Sequence, residues 1–371
     1  KSAKNRMIKA HKKSNKPIMR RTARVFLNDL NPGKTLILLA FLSLCHNITQ
    51  YFVDLFWQRK DSSSKLADIE TVHRGRDRFK ITTRLAQALA KQAKQIVRSA
   101  KGKKPRLRRH TVTLYYHFVL VEDFIGKHFD FAIRLIGSGA PRLTIPVYST
   151  KVINKFIQDG WKLSKTIRLG KRGNRVFIDF IFEKERPELR DYGNVVGMDS
   201  NYKNGFVFSD GQVIGQEIYF KIQTFAKRQK HTHTEVKSLI GKALKHTDFS
   251  NISVLCIENL KKVKHNKKGT FPRVFNRRLS HWLYAYTTEV LVSHCEKLGI
   301  RLERKNPAYT SQYCRQCRKW DRRNRRGDKF KCVHCGFTAH ADHNAAHNLA
   351  LLGLAGVYGL RLLPNLDMCF N

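Results

Sequence analysis

The chain has 371 residues, with 72 Lys and Arg against 28 Asp and Glu, for a formal net charge of +44. Its 42% hydrophobic content is enough for several cores, which excludes wholesale disorder. So much like charge in a compact protein calls for a large polyanion and not a small acidic metabolite, which makes a nucleic acid the favoured partner.

Lys1 to Arg24 carries ten basic residues and no acidic ones. It reads either as a solvated arm or as a phosphate-binding tail, and it lacks the apolar centre of a secretory signal. Thr22 to Leu27 reads as a strand, and Asn31-Pro32-Gly33 marks a turn. Leu36 to Trp57 then has the length and greasy face of a helix. Its longest apolar run, Leu36 to Cys45, is about half of the roughly 20 residues a bilayer requires, so no membrane partner is expected. Thr82 to Ala100 repeats the helical signal through Leu85, Leu89, Ala93 and Ile96. A basic linker follows, with Lys103, Lys104, Arg106, Arg108 and Arg109 as candidate phosphate contacts around Pro105.

From His110 to Glu185 the period changes to two. Val112–Tyr115, Phe129–Ile136, Leu143–Val147, Lys165–Leu169 and Arg175–Phe182 read as strands, the last two joined by the basic hairpin loop Gly170–Asn174. This spacing predicts a small antiparallel barrel interrupted by a helical insert. From Gly193 the pattern is mixed α/β. Val195 to Asp199 is a buried strand ending in a carboxylate, and Asp210-Gly211 signals a hairpin. A helix-like segment spans Phe225 to Leu244, and Ser253 to Glu258 is a second apolar strand ending in a carboxylate. Leu279 to Leu298 is an amphipathic helix closed by Gly299, and Ile300 to Arg304 a further strand.

Asp199 and Glu258 thus end runs that a sheet would bury, and strand ends in α/β sheets are where ligands bind. Asp342, in His340-Ala341-Asp342-His343-Asn344, sits where a helix should begin. Three carboxylates gathered from distant segments repel one another and stay ionised mainly where divalent cations neutralise them. Such a site, with two magnesium ions, suits phosphodiester hydrolysis, and manganese can substitute. No phosphate-binding Gly-rich loop and no serine-nucleophile signature occur.

Cys314-x-x-Cys317 and Cys332-x-x-Cys335, fourteen residues apart, have the spacing of a four-cysteine zinc ribbon holding one structural zinc. The other four cysteines are scattered, which fits a reducing, cytoplasmic compartment. Between the pairs, Arg322, Arg323, Arg325 and Arg326 give the ribbon a basic surface suited to phosphate. His334, His340 and His343 read as exposed polar residues, with a spare ligand or catalytic role the weaker alternative.

Gly197-Met198-Asp199, Cys256-Ile257-Glu258-Asn259-Leu260, Pro307 to Cys314, the ribbon and Asp342-His343-Asn344-Ala345-Ala346-His347-Asn348 together resemble the TnpB family of transposon-encoded RNA-guided DNA nucleases, and compact type V CRISPR effectors are similar. Asn276-Arg277-Arg278-Leu279-Ser280 also resembles that family's helix opening after the second acidic motif, making Arg277 and Arg278 candidate nucleic-acid contacts. The resemblance departs at Ser200 and Asn201, where Leu-Gly commonly follows the first Asp, and at Arg318, where a Gly is usual.

The resemblance implies a multidomain α+β chain: an N-terminal wedge β-barrel with a helical recognition insert, then a RuvC-like, RNase H-fold nuclease with an inserted zinc ribbon. The basic arm and start of the barrel would occupy 1–24, a wedge strand 25–31, the insert and linker 32–109, and the rest of the barrel 110–192. The nuclease would follow at 193–306 and 339–371 around a ribbon at 307–338. It also implies two magnesium ions on Asp199, Glu258 and Asp342, a guide RNA and a target double-stranded DNA as partners, and action in a prokaryotic cytoplasm at the nucleoid. Monomer and dimer stay open. The competing readings are a nuclease-derived repressor that only occupies DNA and a guide-independent nuclease or resolvase.

Overall fold

The computed structural model describes residues 17–62, 66–100, 102–123, 130–224, 232–260 and 282–363, which fall into two compact units divided between Glu185 and Arg186. The expected start of the second unit at 193 is therefore late by seven residues. The reason is local: Arg186 reaches Glu296 at 2.6 Å and the Arg190 amide donates to the Gly299 carbonyl, so this stretch belongs to the second unit.

In the first unit, strand β1 (Ile18–Phe26) pairs antiparallel with β7 (Arg175–Glu185) over nine residues, and β6 (Lys162–Arg172) and β2 (Thr111–Leu114) complete a sheet of order β1-β7-β6-β2. Strands β3 (Val119–Asp123), β4 (Phe131–Leu135) and β5 (Leu143–Val147) form a separate antiparallel meander. Among the described residues the expected closed barrel is not formed. The strands were legible one at a time by their alternation, but closure depends on which edges meet, and here β1 and β2 remain edges of one sheet while β3 and β5 are edges of another. The two sheets nevertheless share a core, with Ile133, Leu135 and Ile145 in the same cluster as Ile178, Phe180 and Phe182. Helix α4 (Lys151–Gln158), unforeseen in the sequence, inserts Ile153 into that core.

Between β1 and β2 lie three helices, α1 (Pro32–Gln58), α2 (Ile69–Phe79) and α3 (Thr83–Ser99). Asn31 caps α1 and Pro32 opens it, as the turn signal implies. By length and composition α1 could cross a membrane, since the helix continues well beyond its apolar run. Its Leu38, Leu42, Cys45, Phe52 and Phe56, at helical spacing, are instead fully buried in the core with Leu85 and Leu89 of α3.

The second unit is built on a five-stranded sheet of order β10-β9-β8-β11-β12. Strands β8 (Asn194–Asn201), β9 (Gly205–Phe208) and β10 (Val213–Ile214) run antiparallel in turn, with Gly211 at φ +100° in the Asp-Gly turn. Strand β11 (Ile252–Glu258) joins β8 in parallel, and β12 (Arg301–Lys305) joins β11 in parallel. Helices α5 (Gln216–Thr224), α6 (Thr232–Lys245) and α7 (Tyr284–Leu298) supply Ile218, Ile240 and Leu291 to a core that also takes Val196 and Met198 from β8 and Leu255 and Ile257 from β11.

Because strand side chains alternate, the residues between these point the other way, toward helix α8 (Ala341–Leu354). A Cβ on Gly197 would collide with the Ala346 carbonyl and lie 2.6 Å from the Ala350 amide, and one on Gly353 would collide with the Cys256 sulfur. Glycines at these two points let α8 rest directly on β8 and β11. Before α8 comes a small antiparallel sheet of β13 (Arg325–Arg326), β14 (Lys329–Lys331) and β15 (Thr338–His340), with Cys332 and Cys335 in the turn between its last two strands and Cys314 and Cys317 ahead of it.

Candidate active site

The parity that turns Gly197 and Cys256 toward α8 also turns Asp199 and Glu258 that way, two residues further along each strand. The parallel register pairs Cys256 with Gly197 and Ile257 with Met198, so the two carboxylates stand side by side at neighbouring strand ends. Asp342, in the first turn of α8, is brought onto them by the same helix-to-sheet contact. The structure thus gathers all three acids singled out in the sequence. Asp199 is 8% exposed and Asp342 1%.

Burial and repulsion set the electrostatics. Burial first, then the charges of Glu258 and Asp342, push the Asp199 carboxyl well above the usual range. Burial and Asp342 raise Glu258 to about 7. Tyr284, the first residue of α7, lines a cleft with Glu258 and is also driven up, by burial first and then by the Glu258 and Asp199 charges. Arg325 opposes these shifts, with Nη2 3.8 Å from Asp342 Oδ1. It was expected on the ribbon's phosphate-facing surface; the fold turns it toward the acids instead.

Two further groups escaped the sequence reading. Asn201 Nδ2 donates to Asp342 Oδ1 at 2.9 Å, and Asn204 Nδ2 donates to Asp342 Oδ2 at 2.7 Å. Their only trace in the sequence was an Asn-rich turn after the first Asp, which by itself signals nothing beyond the turn.

The ribbon is tied to α8 through buried asparagines. Asn344 and Asn348 both donate to the Tyr313 carbonyl, at 2.7 and 2.8 Å, and Asn348 also to the Thr310 carbonyl at 2.7 Å. The four cysteine sulfurs lie within 4.8 Å of one another, with Cys314–Cys335 at 3.7 Å and Cys317–Cys332 at 3.5 Å. A tetrahedron of zinc–sulfur bonds of about 2.3 Å has edges of about 3.8 Å, so this donor set is compatible with zinc. The His334 and Cys335 amides point at the Cys332 sulfur, at 3.4 and 3.5 Å. As a buried all-oxygen set at mutual electrostatic cost, the three carboxylates suit a hard divalent cation.

Of the remaining candidate contacts, Lys103, Lys104, Arg106, Arg108 and Arg109 are all exposed. Their backbone is laid along α1: Gln50 Nε2 donates to the Pro105 carbonyl, the Leu107 amide donates to Gln50 Oε1, and the His46 ring stacks on His110 at 4.0 Å. Lys104 is also paired with Asp54 at 2.9 Å. Arg322 and Arg326 are exposed, whereas Arg323 is engaged by Asp321 through two bonds of 3.0 and 2.8 Å. Arg277 and Arg278 lie outside the described residues, as do the 1–16 part of the basic arm and the 225–231 start of the Phe225 helix.

Residues 284–349, from the start of α7 through most of α8, match the family model described as Cas12f1-like, TNB domain. The chain resembles the compact type V effectors. The CRISPR-associated endodeoxyribonuclease Cas12f1 of Sulfoacidibacillus thermotolerans is 40% identical over 77 residues, which is 20% of this chain and 18% of that protein. The match therefore spans less than a fifth of this curated relative. A cryo-EM structure of a Cas12f1-sgRNA-target DNA complex superposes with a TM-score of 0.53 at 14% identity, covering 88% of this chain and 83% of the other. The likeness in fold extends over both units and not only over the motif-bearing half.

Proposed function

We propose that the protein is an RNA-guided DNA endonuclease of the compact type V and TnpB kind, with a guide RNA and a target double-stranded DNA as partners. The single observation that carries the reading is the convergence of Asp199, Glu258 and Asp342 on one face of a mixed five-stranded sheet, under a helix that two glycines allow to sit against it. Two magnesium ions held by these carboxylates would supply an activated water and neutralise the leaving oxygen of a phosphodiester. The chain's own residues do the rest. Arg325 adds positive charge on the ribbon side of the acids, where a phosphate would approach. Beside Glu258 a cleft of about 820 Å³, lined by Asn259, Tyr284, Lys237 and Arg304 among others, has the aromatic and basic walls that suit a single strand. Zinc on the four cysteines would fold the ribbon and so fix Arg325.

Sequence recognition would fall to guide pairing, with the first unit and its exposed linker cations gripping backbone and reading a short motif beside the target. The test is Asp199→Ala, Glu258→Ala and Asp342→Ala, assayed with guide RNA for cleavage and for gel-shift affinity in magnesium. Each is expected to lower cutting by more than about 100-fold, beyond the cost of an outer-shell change, while guided DNA binding persists. Cleavage at the parent rate by any of the three would remove that residue from the site.

A further inference from the structure

The turn that follows β8 is organised around Asn201. Its Oδ1 accepts the Lys203 amide at 2.7 Å and the Asn204 amide at 3.4 Å, closing an Asx turn. With the oxygen committed to two backbone donors, the amide can face only one way, and its NH₂ is left pointing at Asp342 Oδ1. The closed turn also aims Asn204, whose NH₂ meets the other oxygen, Asp342 Oδ2. Lys203, between them, is paired to Asp328 of the ribbon, which anchors the turn from outside. The residues meeting at Asp342 come from three places: the β8 turn, Arg325 and His340.

We propose that Asn201 and Asn204 are positioning residues, an amide clamp that holds one oxygen each of the Asp342 carboxylate and so orients it for a divalent cation. A carboxylate has about four lone-pair sites. The clamp takes one on each oxygen and leaves the others for a cation on the side of Asp199 and Glu258. A helix-borne Asp with no such partners would rotate about its terminal bond, and each cation bound would pay for freezing it. The inference rests on the metal-dependent reading above, and it concerns the position where the chain departs from the common Leu-Gly.

The variants are Asn201→Ser, which keeps an oxygen able to close the turn but removes the donor to Asp342 without adding charge, and Asn204→Ala, which removes only the second donor. Manganese alone is the probe, titrated into the full chain without RNA and followed by electron paramagnetic resonance of free Mn²⁺, with Asp342→Ala as reference. Cleavage by the guide-loaded protein is measured against Mn²⁺ concentration in parallel, and melting temperature reports folding. The clamp predicts that either variant weakens Mn²⁺ binding by about 10-fold or more, as loss of an outer-shell partner typically does. The half-saturating Mn²⁺ for cleavage should rise in step, with much of the rate recovered at saturation. A folded Asn204→Ala that binds Mn²⁺ as the parent does, while Asp342→Ala has lost it, overturns the clamp and leaves the metal site standing. Parent protein in which Asp342→Ala makes no difference to Mn²⁺ binding overturns both. If Asn201→Ser fails to fold, Asn204→Ala decides alone.

Discussion

At the scale of the residue, Glu258 holds its proton to a higher pH than an ordinary carboxylate does. Burial and Asp342 raise it from 4.5 to about 7, so the folded protein binds this proton more tightly than the unfolded chain. The sign follows by linkage: this raised group favours folding fully below 4.5, and the contribution is lost as pH rises through 7. Glu258→Gln cannot ionise. In magnesium-free buffer its melting temperature should match the parent's at acid pH and exceed it increasingly between 4.5 and 7, and added magnesium should close the gap by stabilising the ionised parent. Parallel melting curves from pH 5 to 8 would show that Glu258 is held at no electrostatic cost. His294, His343 and His347 shift the opposite way through burial, which is why the variant and not the bare pH profile is the measurement.

Among the elements, the contact of α8 with β8 decides whether the acids meet. Gly197→Ala forces a methyl group into the backbone of α8, and overpacking of this kind costs about 1–3 kcal/mol, at the upper end where backbone must move. Gly241, inside α6, is the control. Among the described residues a Cβ there meets the Tyr286 hydroxyl alone, at 3.8 Å, so Gly241→Ala should stabilise by about 0.5–1 kcal/mol. Thermal unfolding of the two variants should move in opposite directions, and equal shifts would remove the close-approach argument. In the ribbon, Cys314→Ser should lower zinc content from about one per chain and free the backbone held by Asn344 and Asn348, because metal binding and folding are coupled there. Elemental analysis showing no zinc in folded parent protein would end that account.

Strand ends, the Asp-Gly hairpin, the long α1 and the cysteine spacing were legible because each is written in neighbouring residues. Helix α2, helix α4 and strand β3 were not, since they are short and their patterns are mixed. The barrel failed as an expectation because alternation names a strand without naming its partner, and β1 finds β7 about 150 residues away. The clamp on Asp342 was hidden for the same reason. An asparagine after a strand looks like a turn, and its second role needs a partner 141 residues along the chain.

For the molecule as a whole, the +44 charge needs a lasting counter-charge. If a guide RNA supplies it, RNA of defined sequence should copurify, survive high-salt washing and raise the melting temperature as a ligand of the folded state does. Loose duplex contacts to Z phosphates weaken with a log–log salt slope of about −0.9Z and should be stripped by the same wash. Recovery of heterogeneous fragments alone, with no programmed cleavage on adding candidate guides, would favour a guide-independent nuclease. The dependence of Asp342 on α8 has a consequence for synthesis as well. A ribosome finishes β8 and β11 long before it reaches Asp342, so a nascent chain carries two acids and a partial sheet with no third ligand. Any product of premature termination before α8 is in the same condition: it keeps Asp199 and Glu258 but lacks Asp342, which on the proposed reading completes the cutting centre. On the proposed reading, premature termination in this stretch would yield a chain without cutting activity and not a misdirected nuclease.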